Sequence, residues 1–278
     1  PENLQITGSF KVRGAGYKIA MLTEEEKARG VIACSAGNHA QGVALAASKN
    51  GIKSLICLPD SAPISKVEAT KAFGAEVCLV EGCYDDAYQK ALELKEEMGY
   101  TFVHPFDDEN VIAGQGTVAL EILADLDNID AIIVPVGGGG LISGIAYTAK
   151  QIRPSVKVYG VQAAGAPSMF NSIRDGAIEC LDSVQTIADG IAVKQPGENT
   201  FQLVHDYVDD IALVSDDEVA SAILALMEKQ KMIAEGAGAV SVAAAMFGKF
   251  PLAGKRVVSV VSGGNIDVTS LSRVIDRG

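Results

Sequence analysis

The sequence predicts an α/β protein built from two parallel-sheet lobes, and three observations carry that expectation. Short aliphatic runs alternate with helical stretches along most of the chain, the order that winds a parallel sheet. Apolar residues make up 48% of the 278 residues, aromatic ones 5%, and Trp is absent, so the core must come from Ala, Val, Ile and Leu. Three of the apolar runs end in loops of small residues, the strand-end position at which open parallel sheets bind ligands.

From Thr23, the run Thr-Glu-Glu-Glu predicts a capping box in which Glu26 returns a bond to the cap, and Gly30 closes the short helix. Its three glutamates read as a solvated first turn favoured by the helix dipole. A strand follows at residues 31–34, then Ser35-Ala36-Gly37-Asn38-His39 and an Ala-rich helix ending near Asn50 and Gly51. The pattern repeats as a strand at 54–58 stopped by Pro59, a helix at 64–73 stopped by Gly74, and a strand at 76–80. A helix at about 85–98, a strand at 101–104 and the turn Pro105-Phe106-Asp107-Asp108 are expected to end a small lobe. The second lobe takes a helix through Glu121-Ile122-Leu123 and a strand at 131–136 that runs into Gly137, Gly138, Gly139 and Gly140, where another helix starts. A strand at 156–161, helices near 217–229 and 234–247, and a strand at 256–261 capped by Ser262-Gly263-Gly264-Asn265 complete it. No Pro/Ser-rich linker or short-period repeat marks a separate module, so the lobes are expected to interleave: residues 30–107 as the small domain, 1–29 and 108–278 as the large one.

Bulk properties exclude several functions. A formal charge of −12 and an isoelectric point near 4.7 oppose binding to a phosphate backbone, so no nucleic-acid partner is expected. The longest uncharged stretch, residues 131–149, approaches the length of a membrane span, but Pro135 and four consecutive glycines forbid that helix, and no membrane partner is expected. The first residues, Pro1-Glu2-Asn3-Leu4-Gln5, have neither a basic start nor an apolar signal core, which predicts a soluble cytoplasmic protein; the missing initiator Met points to a trimmed chain. Cys34, Cys57, Cys78, Cys83 and Cys180 lack metal-ligand spacing; the first three lie in apolar runs and read as buried free thiols of a reducing compartment.

The tetraglycine is the sharpest local signal. Four residues without side chains let backbone N–H groups converge on an anion at the start of the next helix, which reads as a phosphate cradle. A helix end contributes only about 0.3–1 kcal/mol at an exposed site, yet dispersed surface charge is screened beyond roughly 8 Å, so local donors outweigh the global −12. No Gly-Lys-Ser/Thr follows, which removes the P-loop reading, and the dinucleotide fingerprint is matched only weakly. Lys11 sits in Thr7-Gly8-Ser9-Phe10-Lys11-Val12-Arg13, where a lysine could serve Schiff-base chemistry, but most of the sixteen lysines must be solvated and spacing alone does not select this one. His39, with only His104 and His205 elsewhere, has no paired-His metal spacing and is assigned to positioning; no metal is expected. The pairs Asp85-Asp86, Asp107-Asp108, Asp209-Asp210 and Asp216-Asp217 read as turn and cap residues.

Four ordered motifs carry a resemblance over essentially the whole chain: Glu2-Asn3-Leu4-Gln5 with Thr7-Gly8-Ser9-Phe10-Lys11, Ser35-Ala36-Gly37-Asn38-His39-Ala40-Gln41-Gly42, the tetraglycine, and Ser262-Gly263-Gly264-Asn265. Together they resemble the threonine/serine dehydratase group of pyridoxal-phosphate enzymes, fold type II, with the tryptophan synthase β-like architecture. The resemblance implies pyridoxal 5'-phosphate carried on Lys11, with Phe10 against its ring, Asn38 on the ring hydroxyl, and Gly137, Gly138, Gly139, Gly140 and Leu141 on the phosphate. It implies that Ser262 faces the ring nitrogen, that Asp189 and Gly190 line the far side of the ring, and that Ser35, Ala36, Gly37, Asn38 and His39 hold the substrate carboxylate. The implied reaction is loss of water from L-threonine or L-serine, giving 2-oxobutyrate or pyruvate and ammonia, with the Lys11 amine removing the α-proton. A homodimer or homotetramer is likewise implied.

Serine racemase is the alternative within this resemblance. That family has a serine where this chain has Ala36, and a Glu and Asp metal pair where this chain has Gln162 and Ser168; both departures argue against racemisation. A binding protein that keeps the cofactor fold is a more distant alternative. The family carries several dozen residues before the Glu-Asn-Leu-Gln motif, so part of the large domain is expected to be missing, and no regulatory domain is expected beyond residue 278.

Overall fold

The structure, a computed structural model, describes residues 1–277. The chain divides into two compact units: Lys11–Gly114, and Pro1–Phe10 together with Gln115 onward.

The first unit begins with α1 (Lys11–Ala20) and α2 (Glu24–Arg29), then alternates β1 (Val31–Cys34), α3 (Asn38–Lys49), β2 (Ser54–Pro59), α4 (Ile64–Ala72), β3 (Glu76–Val80), α5 (Tyr84–Met98) and β4 (Thr101–Phe102). The strands form one parallel sheet in the order β3-β2-β1-β4. Each sheet face buries alternate residues, as the pleat requires. Val31, Ala33, Ile56 and Leu58 pack with Ala40, Val43, Ala44 and Ala47 of α3 and Ala15 and Ile19 of α1, whereas Ile32, Cys34 and Cys57 pack with Ala87 and Ala91 of α5. The alanines of α3 let it lie close, and Gly42 closer still: a Cβ there would stand 3.0 Å from the Lys11 backbone. The α2 capping box forms as expected, with Glu26 N donating to Thr23 Oγ1 and Thr23 N to the Glu26 carboxylate.

A long helix, α6 (Glu109–Asp125), crosses the division. The second unit then runs β5 (Ala131–Pro135), α7 (Gly140–Ile152), β6 (Lys157–Ala163), α8 (Ser168–Asp175), a 3-10 turn (Asp189–Ile191), α9 (Glu198–Tyr207), β7 (Asp210–Val214), α10 (Asp216–Gln230), α11 (Gly236–Met246), β8 (Val257–Ser259) and α12 (Val268–Arg277). Its sheet is also parallel, in the order β7-β6-β5-β8. Ile133, Val161 and Val214 pack with α10 and α11 on one face, while Ile132, Val134 and Val158 pack with Ile142 and Ile145 of α7 on the other. Residues 1–10 belong here because they are stitched to the end of β8: Glu2 N donates to Val261 O, Phe10 N to Ser262 O, Asn265 Nδ2 to Thr7 O, and Ser9 bridges Gly263.

Several boundaries depart from the sequence expectation. Pro59 does not stop β2 but is its last residue, paired with Val80; at a strand end the missing N–H costs nothing while the next amide, Asp60 N, bonds Val80 O. The strand expected at 101–104 ends at Phe102 because the chain turns at His104, and β8 is shorter than 256–261. The three strand cysteines occupy one register row, Cys34 beside Cys57 and Cys57 beside Cys78. Cys34 and Cys57 are buried, and burial pushes each thiol up to about 12. Cys78, on the edge strand, is only partly buried, which corrects its expected burial.

Candidate functional site

In the first unit, three segments meet at the C-terminal end of the sheet. Lys11 opens α1, and its Nζ donates to Pro105 O at 2.7 Å. The loop after β1 is held by Ser35 N on Cys57 O, and by Gly37 N donating to Ser35 Oγ at 3.1 Å. Gly37 then caps α3 without a side-chain bond, so backbone N–H groups of residues at this helix start, where Asn38 is first, suit an anion. His39 is 3% exposed, and its Nε2 donates to Val103 O at 2.8 Å. Burial, with the Lys11 charge adding to it, pushes its pKa down from 6.5 to about 3. The ring is therefore a neutral anchor between α3 and the segment after β4.

A stability prediction follows from that anchor. Between about pH 6.5 and about 3 the unfolded chain binds a proton at His39 that the folded chain refuses, so stability falls as pH falls through this window. Glutamine keeps a donor at the ε position without a titrating group. Urea unfolding from pH 7 to pH 4 is expected to show a smaller acid loss for His39→Gln than for the parent; equal losses would contradict the buried neutral imidazole.

The second unit gathers the other candidates at the ends of β5 and β8, adjacent parallel strands with Ile133 opposite Ser259. Residues 137–140 lead from β5 into α7. Gly139, at φ 98° and ψ −5°, caps that helix with no side-chain bond, and Leu141 is buried in its first turn. A Cβ on Gly137 would stand 3.1 Å from Ile191 Cα, and one on Gly190 would stand 3.0 Å from Ala237 Cβ. Ser262 is 3% exposed and its Oγ donates to Ala237 O at 3.4 Å. Through Ile191 and Ala237, the tetraglycine, the Asp189–Ile191 turn, the start of α11 and Ser262 thus form one contiguous wall. Phe10, tied to Ser262 O, directly precedes Lys11 in the chain.

Two residues of this wall escaped the sequence reading. Thr200 is fully buried; its Oγ1 donates to Gly138 O at 2.6 Å and accepts from Gly197 N at 3.1 Å, fixing the glycine loop from α9. Glu235, 5% exposed, places Oε1 3.7 Å from where a Gly190 Cβ would be. A glutamate just before a Gly-Ala run was the available signal for the second; a lone Thr after Gly197 offered none for the first.

Of the Asp pairs, Asp86 and Asp108 make the expected turn and cap bonds, whereas Asp209 and Asp216 instead tie segments distant in sequence. Asp86 accepts from Cys83 N, Asp108 accepts from Asn110 N and Val111 N and pairs with Lys18, Asp209 pairs with Lys150 and Lys157, and Asp216 binds Thr186 Oγ1 and Ile187 N. Gln162, fully buried, accepts from Phe170 N at 2.8 Å. Among the described residues no group of three or more His, Cys, Asp or Glu is placed to hold a metal ion, and no helix is long and apolar enough to cross a membrane.

Residues 1–263 match the family pattern described as "Pyridoxal-phosphate dependent enzyme". The chain is 54% identical over 277 residues to an L-threonine ammonia-lyase of Thermotoga maritima, covering 100% of this chain and 69% of that protein. It is 50% identical over 280 residues to the catabolic L-threonine dehydratase TdcB of Staphylococcus aureus, covering 100% and 81%. Among solved structures, the processed form of threonine deaminase isoform 2 from Solanum lycopersicum superposes with a TM-score of 0.96 at 41% identity, over 100% of this chain and 77% of that one. Maize serine racemase superposes with a TM-score of 0.93 at 38% identity, over 99% and 85%.

Proposed function

The chain belongs to the pyridoxal-phosphate dependent enzyme family, and from that premise we propose that it is an L-threonine ammonia-lyase that also accepts L-serine. The observation that carries this reading is Lys11, a lysine opening a helix with its amine on a neutral carbonyl and joined directly to Phe10, which is bonded to Ser262. The likeness to proteins named for threonine supports L-threonine as the substrate.

The residues suit the cofactor. The wall along residues 137–140 has no room for side chains at Gly137 and Gly139, and the cap residue Gly139 has no side chain to bond the first N–H groups of α7, which fits a phosphate. Bound pyridoxal phosphate supplies an aldehyde that takes up an amine and a conjugated ring that delocalises the electron pair left by the departing α-proton. Gly137, Gly138, Gly139, Gly140 and Leu141 hold the phosphate; Phe10 and Gly190 line the two faces of the ring; Asn38 bonds the ring hydroxyl. Ser262 meets the ring nitrogen with a neutral hydroxyl, which does not enforce a protonated ring and so suits elimination. Ser35, Ala36, Gly37, Asn38 and His39 bind the substrate carboxylate through the start of α3. Lys11 would be the attachment point of the cofactor and, as a free amine, would remove the α-proton, with the Pro105 carbonyl accepting from the resulting ammonium. Water is lost from L-threonine, and hydrolysis yields 2-oxobutyrate and ammonia.

The same reading makes the protein a cytoplasmic homodimer or homotetramer. Five free cysteines suit a reducing compartment, and Leu4 and Ile6, 72% and 66% exposed, offer apolar surface for burial in an assembly. Incubation with L-threonine and with L-serine, followed by 2-oxo acid determination, is expected to yield 2-oxobutyrate and pyruvate. D-serine formed from L-serine with no oxo acid would replace this reading by a racemase.

A further inference from the structure

His104 lies in the turn after β4, and its side chain has no part in the chemistry above. Its Nδ1 accepts two backbone N–H bonds, from Asp107 at 2.7 Å and from Phe106 at 3.2 Å. With two donors directed at one nitrogen, Nδ1 carries no proton and the ring proton sits on Nε2. The Phe106 ring meets the imidazole edge-on at 4.7 Å, and Phe102 flanks it at 6.2 Å. Between His104 and Phe106 is Pro105, whose φ is set by its ring and whose carbonyl accepts from Lys11 Nζ at 2.7 Å. That carbonyl belongs to the same peptide unit as the Phe106 N–H, so the bond to His104 sets the direction in which the carbonyl points.

We propose that His104 is a positioning residue for Lys11: the two bonds to its Nδ1 fix the turn that presents the Pro105 carbonyl to the amine. This rests on the reading of Lys11 as the proton-transferring group. When not linked to the cofactor the amine donates to the Pro105 carbonyl, and that bond exists only while the turn is held. The charged and titratable groups around the ring agree with an acceptor role. Burial lowers the His104 pKa, Asp107 opposes this, Lys11 adds to it, Asp108 opposes it again, and His39, itself neutral, also lies within its field.

Three variants of the holoenzyme separate this role from simple packing. In His104→Asn the side-chain carbonyl can occupy the Nδ1 position, in His104→Gln the carbonyl lies further out near the Nε2 position, and His104→Leu has no acceptor. Leu and Gln are expected to lower kcat for L-threonine by roughly 10- to 100-fold, with KM and the visible cofactor band retained, while Asn stays within about 3-fold of the parent. Independently of turnover, the rate at which added pyridoxal phosphate restores the visible band after hydroxylamine treatment is expected to fall in Leu and Gln and to persist in Asn. If the Leu protein does not fold, the Asn and Gln pair decides alone. Parent-like behaviour of all three variants, or loss in Asn equal to that in Gln, overturns the proposal. Substantial turnover by Lys11→Ala would instead remove the reading on which it rests, so the two failures are distinct.

Discussion

Lys11→Ala is expected to lose at least about 10³-fold in the rate of 2-oxobutyrate formation, because one change removes both the cofactor linkage and the base for the α-proton. Eight of the other lysines are held by carboxylates. Lys18 is locked to Asp108 at 2.6 Å, Lys150 and Lys157 share Asp209, Lys249 pairs with Glu218, and Lys27, Lys71, Lys90 and Lys95 pair with neighbouring glutamates. A carboxylate partner stabilises the ammonium and opposes attack on a carbonyl carbon. Lys11 Nζ donates to the Pro105 carbonyl at 2.7 Å, which orients the amine. The variant is expected to fold with an unchanged far-ultraviolet spectrum, since helix α1 is held through Ala15 and Ile19 rather than through the Lys11 head group. It is expected to lack the visible band of the lysine-linked cofactor, and an added small primary amine should restore a part of the rate. Turnover near the parent level would mean that the proton is moved by another group.

The second large effect is expected at the glycine loop. Gly139 has a φ of 98°, where an L side chain is strained, and an added Cβ would lie 2.6 Å from Met169 Cε and 2.8 Å from Thr200 Cβ. Met169 can swing aside, but Thr200 is held by its bonds to Gly138 O and Gly197 N. Gly139→Ala must therefore move the loop, at a cost of about 1–3 kcal/mol from backbone strain. The displaced N–H groups no longer converge, and affinity for pyridoxal phosphate is expected to drop by roughly 10- to 100-fold, each tenfold being about 1.4 kcal/mol. Titration of the visible band measures this. Pyridoxal without its phosphate separates the causes: if the loop holds the phosphate, affinity for pyridoxal changes much less than affinity for pyridoxal phosphate. Equal losses for both would place the phosphate elsewhere.

The strand-end loops were legible because each follows an uninterrupted aliphatic run, and such a run ending in Ser, Gly or Asn has few structural readings. Hence β1 with Ser35 to Asn38 and β5 with the tetraglycine lie where the sequence puts them, while β8, expected to run up to Ser262, ends at Ser259. Helix α1 was not legible. Gly14 and Gly16 lower its intrinsic helix propensity, and it forms because α3 covers it at Gly42, a tertiary contact that no local window contains. The same reasoning applies to Thr200 and to the Pro105 carbonyl. Each acts on a segment distant in sequence, 62 residues away for Thr200 and Gly138 and 94 for Lys11 and Pro105. His104 reads as a strand residue from its neighbours Thr101 to Val103, but its Nδ1 accepts from the N–H groups of Phe106 and Asp107, beyond Pro105, and ends the strand.

The central claim, that Lys11 carries the cofactor for an amino-acid elimination, is tested most directly by borohydride reduction of the holoenzyme, proteolysis, and mass location of the fixed cofactor. The added mass is expected on the peptide containing Lys11 and on none of the other lysine peptides, and prior addition of L-threonine during turnover is expected to diminish it. A stable label on another lysine, or an unlabelled Lys11 in protein that still forms 2-oxobutyrate, would contradict it.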